Sequence, residues 1–190
     1  MSSTNMRNQE ELNITMVGSN CPGKTSLVER YTRGIFTGEA VSTFESVFTK
    51  KTLIKGRERK MNILDVSSLY ELQCSMESNW FKDCDGFALV YSVSDRSSFE
   101  VLGELRSLLV IVNGNKMPPV LVIGNKVDEE RRVTTEEGMG FSKEFGYDFF
   151  ETSVKKNLNV VEAFDRLVKK TYSYKFNETS SEMNCRCVMF

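Results

Sequence analysis

The chain has 190 residues, 40% hydrophobic and 27% charged, which suits one compact α/β domain and gives no call for a second. Its 25 basic and 26 acidic residues leave a net charge of −1, which excludes the strongly basic balance of a nucleic-acid binder. Five cysteines, an odd number, stand at Cys21, Cys74, Cys84, Cys185 and Cys187 without metal-ligand spacing, and no apolar N-terminal segment marks secretion, so a reducing, cytosolic compartment is expected.

In chain order, a polar tail over 1–11 precedes a first strand, 12–17, in which apolar and polar residues alternate. Gly18-Ser19-Asn20-Cys21-Pro22-Gly23-Lys24-Thr25 follows, the pattern G-x-x-x-x-G-K-[ST], and opens a helix over 24–33 that stops at Gly34. Alone, such a pattern could be a glycine turn capping a strand. Between a strand and a helix it reads as a phosphate cradle: glycines let backbone N–H groups wrap a di- or triphosphate, the lysine meets β/γ oxygens, and the hydroxyl suits Mg²⁺. Strands at 46–54 and 60–66 are joined by the turn Lys55-Gly56-Arg57 and form the only expected antiparallel pair. A short helix over 72–81 precedes an apolar strand, 87–93. Ser97 or Ser98 is expected to cap a helix over 99–112, ended by Asn113-Gly114-Asn115. Strand 120–123, helix 135–145, strand 148–152 and helix 160–172 complete an alternation that predicts a mostly parallel sheet covered on both faces. The longest apolar runs, such as 108–112, are far too short to cross a bilayer.

Asn125-Lys126-Val127-Asp128 follows the apolar run 118–124, which reads as a buried parallel strand. An aspartate placed there can accept hydrogen bonds from guanine N1–H and its exocyclic amine, and adenine offers no matching pair of donors. Thr152-Ser153-Val154-Lys155 ends a further apolar run, where a backbone N–H can meet guanine O6. Asn-Lys-x-Asp also occurs in ordinary solvated loops, but after a phosphate cradle and on strand ends it points to GTP or GDP. A P-loop kinase for a small substrate would explain the cradle equally well and leave Asn125 and Asp128 without a role.

With these motifs in this order, the chain resembles the Ras-like small GTPases over about residues 12–172 and at the extreme C-terminus. The resemblance implies a P-loop G domain: an α/β, three-layer fold with a six-stranded, mostly parallel sheet, one antiparallel edge strand and about five helices. It implies phosphate contacts from Gly18, Ser19, Asn20, Cys21, Gly23, Lys24, Thr25, Ser26, Thr43 and Ser68, with Lys24 and Thr43 in the catalytic role. Guanine would be held by Phe36, Asn125, Lys126, Asp128, Ser153, Val154 and Lys155, and Mg²⁺ by Thr25 and Thr43 with Asp65 acting through a water. Glu39, Ala40, Val41, Ser42, Thr43, Phe44, Glu45, Ser46, Val47 and Phe48 correspond to switch I, the effector loop. An exchange factor and an activating protein are the other partners implied, for a monomeric switch.

Three departures from the family pattern stand out. After Asp65 the family continues Thr-Ala-Gly-Gln, whereas this chain reads Val66-Ser67-Ser68-Leu69, and Leu69 has no polar group with which to orient an attacking water. Asn20 replaces a cradle glycine, where a side chain crowds a partner's arginine finger, and Pro22 removes one N–H from the cradle. In the effector loop, Ala40 stands where most relatives carry a tyrosine, and Ser46 where many carry an aspartate. The expectation is a switch that hydrolyses GTP slowly, with a pseudo-GTPase binding module as the alternative. Residues 173–190 read as a flexible tail ending in the C-a-a-X box Cys187-Val188-Met189-Phe190, whose last residue favours geranylgeranyl over farnesyl. One prenyl group anchors marginally and the tail has no basic cluster, so palmitoylation of Cys185 is the expected second signal. That places the protein on the cytoplasmic face of the plasma membrane, with a cytosolic pool.

Overall fold

The computed structural model describes residues 11–19, 23–38, 46–66, 83–114 and 116–176. Six strands, β1 (Glu11–Gly18), β2 (Ser46–Ile54), β3 (Arg57–Asp65), β4 (Gly86–Ser92), β5 (Val120–Asn125) and β6 (Asp148–Glu151), form one sheet in the order β2-β3-β1-β4-β5-β6. Every neighbouring pair is parallel except β2 and β3, which run antiparallel through all nine residues of each. Their turn, Lys55-Gly56, has φ of 50° and 74°; two successive positive φ values match the twist of a tight hairpin, and only the second falls on glycine. The expected helix over 72–81 lies outside the described residues.

Five helices are described: α1 (Lys24–Arg33), α2 (Arg96–Glu100), α3 (Leu102–Asn113), α4 (Thr135–Glu144) and α5 (Val160–Lys175). Successive strand residues point to opposite faces, so the buried strands feed two cores. Ile14, Met16, Ile63, Ala88, Val90, Leu121 and Ile123 face α1 and α5, where Leu27, Val28, Phe164 and Leu167 close over them. Val17, Leu64, Phe87, Leu89, Tyr91, Val120 and Val122 face α3, whose Leu102, Leu105 and Leu109 are buried, and half-buried Phe141 of α4 packs against them. The result is the three-layer arrangement expected from the alternation of elements.

The structure corrects several boundaries. Neither Ser97 nor Ser98 caps the helix after β4. Asp95 does, accepting from the Ser97 amide at 3.1 Å, so helix begins at Arg96 and breaks at Val101 into α2 and α3. A carboxylate outcompetes the hydroxyl at this position because it also favours the positive end of the helix. Ser98 is instead buried, its Oγ donating to the Asp95 carbonyl at 2.6 Å and accepting from the Ser92 amide at 2.9 Å. The last helix runs on from the expected 172 to Lys175, whose Nζ donates to the Glu11 carbonyl at 2.7 Å and meets the Asp85 carboxylate at 2.8 Å. That contact also draws Glu11 into β1, opposite Lys60. Cys84 sits beneath β1 with its Sγ 3.2 Å from Thr15 Oγ1, and burial pushes the thiol up to about 12, so it remains neutral and unreactive.

Candidate functional site

The parallel strands β1, β3, β5 and β6 deliver the predicted residues to their carboxyl ends, where open α/β sheets place ligands. Gly18 ends β1 so close to β4 that a Cβ there would lie 2.3 Å from the Val90 carbonyl oxygen. The chain returns at Gly23, whose φ of 88° and tight packing both require glycine: its Cβ would fall 2.6 Å from Asn125 Nδ2. Gly23 then starts α1 with no side-chain cap and no acidic residue in the first turn. The positive end of a ten-residue helix is thereby left for an external anion.

Lys24 is buried, with Nζ 2.7 Å from the Ser19 carbonyl and 3.2 Å from that of Gly18, so its charge is held against the carbonyls at the end of β1. Ser26 lies in the same first turn. Thr25 Oγ1 donates to Asp65 Oδ2, joining the start of α1 to the end of β3. A hydroxyl beside a carboxylate at the edge of a phosphate cradle is an oxygen donor set that fits a hard divalent cation. Ser46 pairs with Asp65 across the hairpin, Val47 is exposed and Phe48 is buried.

Asn125 ends β5, buried, and is fastened from three directions. It packs on Gly23, its carbonyl accepts from the Val93 amide at 2.9 Å, and its side-chain oxygen accepts from Thr152 Oγ1 at 3.1 Å. Lys126 takes a left-handed conformation, φ 67°, which turns the chain so that the Val127 amide reaches the Thr152 carbonyl and Asp128 swings toward β6. There Ser153 Oγ donates to Asp128 Oδ1 at 2.5 Å and accepts from the Lys156 amide at 3.0 Å. Backbone bonds in both directions between Ser153 and Leu158 close the turn that holds buried Val154 and exposed Lys155. Arg30 Nε of α1 donates to the Val154 carbonyl, so the helix that opens the cradle also braces this turn.

The structure therefore brings Gly18, Ser19, Gly23, Lys24, Thr25, Ser26, Asp65, Asn125, Lys126, Asp128, Ser153, Val154 and Lys155 to one end of the sheet. Phe36 stands on the segment after α1, 38% exposed. Asn20, Cys21, Glu39, Ala40, Val41, Ser42, Thr43, Phe44, Glu45, Ser68, Leu69, Cys185 and Cys187 lie outside the described residues. Thr152 and Arg30 are the members that motif reading missed as individual side chains. The only signal for either is a polar residue at the end of an apolar strand or on the last turn of a helix.

The pattern defining the Ras family matches residues 13–173. The chain is 33% identical over 167 residues to the Ras-like protein rasU of Dictyostelium discoideum, spanning 87% of this chain and 78% of that protein. It is 33% identical over 175 residues to the Ras-like protein rasC of the same organism, spanning 90% and 92%. To the GTP-binding protein Rheb homolog of Drosophila melanogaster it is 34% identical over 166 residues, spanning 84% and 88%.

Replacing Thr152 by valine, equal in shape but without the donor, should lower stability by about 1 kcal/mol in urea unfolding, because Asn125 loses one of its fastenings. An unchanged midpoint would contradict the tether.

Proposed function

The chain belongs to the Ras family and is a GTP-binding switch, and from that premise we propose that it is a slow, lipid-anchored GTPase that takes Mg²⁺ with its nucleotide. Support for slow turnover comes chiefly from one residue, Leu69, in the place of the family's glutamine. Lys24 neutralises oxygens of the β/γ-phosphates, and the uncapped start of α1 offers its amides to them. Thr25 and Asp65, already hydrogen-bonded to one another, are the cation's anchors, with Thr43 completing the set only when a γ-phosphate is present. When bound, the metal screens the charge of the two terminal phosphates. Asp128, oriented by Ser153, accepts from the guanine N1–H and amine, while Asn125 keeps cradle and base loop in register.

Hydrolysis needs a water held in line with the γ-phosphate, and an isobutyl side chain can neither donate to it nor accept from it. Asn20 acts in the same direction by crowding the approach of an activating protein's arginine. The GTP-loaded form is thus favoured at both the intrinsic and the assisted step. A pure binding module is the second reading, favoured by Ser68 in place of glycine and by the amide lost at Pro22. Effectors read the switch I surface from Glu39 to Phe48 and add a strand to β2, an edge strand of the described sheet. Cys187 carries the prenyl group and Cys185 the palmitate that holds the protein on the cytoplasmic face of the plasma membrane.

In single-turnover assays Leu69→Gln should hydrolyse GTP at least about tenfold faster than the unaltered protein. An unaltered protein already as fast as an ordinary small GTPase, and unmoved by the change, overturns slow turnover; no phosphate release from the unaltered protein at all favours the binding module. On fractionation of cells, Cys187→Ser should leave the protein soluble and Cys185→Ser should shift a substantial share off the plasma membrane. A Cys185→Ser protein still held firmly there would contradict the two-lipid anchor.

A further inference from the structure

Six of the chain's 25 basic residues, Lys50, Lys51, Lys55, Arg57, Arg59 and Lys60, fall within residues 50–60, on the hairpin of β2 and β3, against one acid, Glu58. That segment carries a charge of +5 in a chain whose net charge is −1, which leaves −6 to everything else. Lys50 turns inward, its Nζ donating to the Tyr31 carbonyl at 2.7 Å over the last turn of α1. The rest reach the surface: Lys51, Lys55, Arg57 and Lys60 are exposed, and Arg59 is half-buried with its guanidinium 5.6 Å over the Phe176 ring. Of the described acids at this end, Glu58 is matched by Lys51 at 2.8 Å, Glu11 by Lys60 at 3.1 Å and Asp85 by Lys175 at 2.8 Å, while Asp83 is not paired with a cation. Exposed pairs of this kind are weak in water, so Lys51, whose side chain is 71% exposed, stays available to a stronger field of negative charge. The Arg57 side chain has no partner among the described residues. Leu53, 73% exposed, stands on the same strand face as Lys51.

The position of the hairpin matters as much as its charge. β3 begins at Arg57 and ends at Asp65, so the turn lies about 27 Å from the cation anchors, at the far end of the sheet. α5 ends at the same place, since Arg59 covers Phe176 and Lys175 reaches Glu11, the register partner of Lys60. Cys187 follows eleven residues after Phe176, within a reach of at most about 40 Å. We propose that the hairpin is a docking surface for an anionic lipid bilayer, with Lys51, Lys55, Arg57 and Lys60 against the headgroups and Leu53 entering the headgroup layer. It supplies the cluster of positive charge that the tail lacks, and clustered cations next to a lipid anchor hold a protein to an anionic leaflet over about a Debye length. Docked this way, the nucleotide end and the start of β2, where an effector would pair, face away from the bilayer. How the chain comes to the bilayer rests on the lipid-anchored reading above; the preference of the hairpin for anionic lipid does not.

The test compares the full chain, prenylated and loaded with GDP, with the double variant Lys55→Asn, Arg57→Gln and with Cys187→Ser, by co-sedimentation with phosphatidylcholine vesicles containing or lacking about a third phosphatidylserine. The unaltered chain should partition at least about tenfold better onto the anionic vesicles, the double variant should lose most of that preference, and raising the salt from about 0.1 to about 0.5 M should abolish it. Asparagine keeps the positive φ that Lys55 adopts, and unchanged GDP affinity shows that the variant is folded. Should it lose GDP binding, Lys51→Gln with Lys60→Gln carries the comparison. Cys187→Ser should bind both kinds of vesicle more weakly yet keep its preference for the anionic ones. A Cys187→Ser protein that binds as well as the unaltered chain sinks the prenyl anchor and leaves the hairpin surface standing. Equal partition of the unaltered chain onto both kinds of vesicle, or a preference undiminished in the folded double variant, overturns the surface.

Discussion

Asn125 is the joint on which the functional end of this molecule turns. Its amide presses on Gly23 so closely that no side chain fits between them, its carbonyl receives the amide of Val93, and its side-chain oxygen is held by Thr152. Through one buried side chain the end of β5 therefore sets the distance between the loop proposed to meet phosphates and the loop proposed to meet the base. Each contact fixes a different neighbour, so the two loops of the proposed nucleotide site are joined directly even though they are about a hundred residues apart in sequence. Arg30 adds a second strut from α1 to the Val154 carbonyl.

Helix termini show the same economy of charge. Two helices carry side-chain caps, Asp95 at α2 and a reciprocal capping box of Thr134 and Glu137 at α4, while α3 and α5 have no cap but keep an acid, Glu104 and Glu162, in the first turn. At α1 the chain supplies neither cap nor acid. An uncapped helix start with a buried lysine beside it is unfavourable in isolation and becomes favourable when a polyphosphate arrives, which couples nucleotide occupancy to the stability of the site. At the opposite end, the Lys175 contacts to Glu11 and Asp85 pin the last helix to the first strand, giving the sheet a fixed foot under a working edge built of loops.

Much of this was legible in the residues because the fold obeys short-range rules. Period-two burial, glycines at Gly18, Gly34 and Gly56, and the strand-cradle-helix order predict the sheet, its single antiparallel pair and the clustering of Gly18, Lys24, Thr25, Asp65, Asn125 and Asp128. Misreadings arose where two local solutions compete. Asp95, Ser97 and Ser98 are all capping residues within four positions, and only the burial of Ser98 under Ser92 decides among them. The tether from Thr152 to Asn125 was invisible because it joins residues distant in the chain and carries no motif. Lys175 likewise extends its helix for a partner, Glu11, at the other end of the chain.

If the joint at Asn125 holds a phosphate loop against a guanine-reading loop, base choice is built into the strand ends themselves. The direct measurement is displacement of a fluorescent guanine nucleotide by GDP and by ADP in the presence of Mg²⁺. The account predicts that GDP is preferred by about a thousandfold or more, since adenine leaves the Asp128 carboxylate without its donors. Equal displacement by ADP, or no binding of either nucleotide, would contradict it.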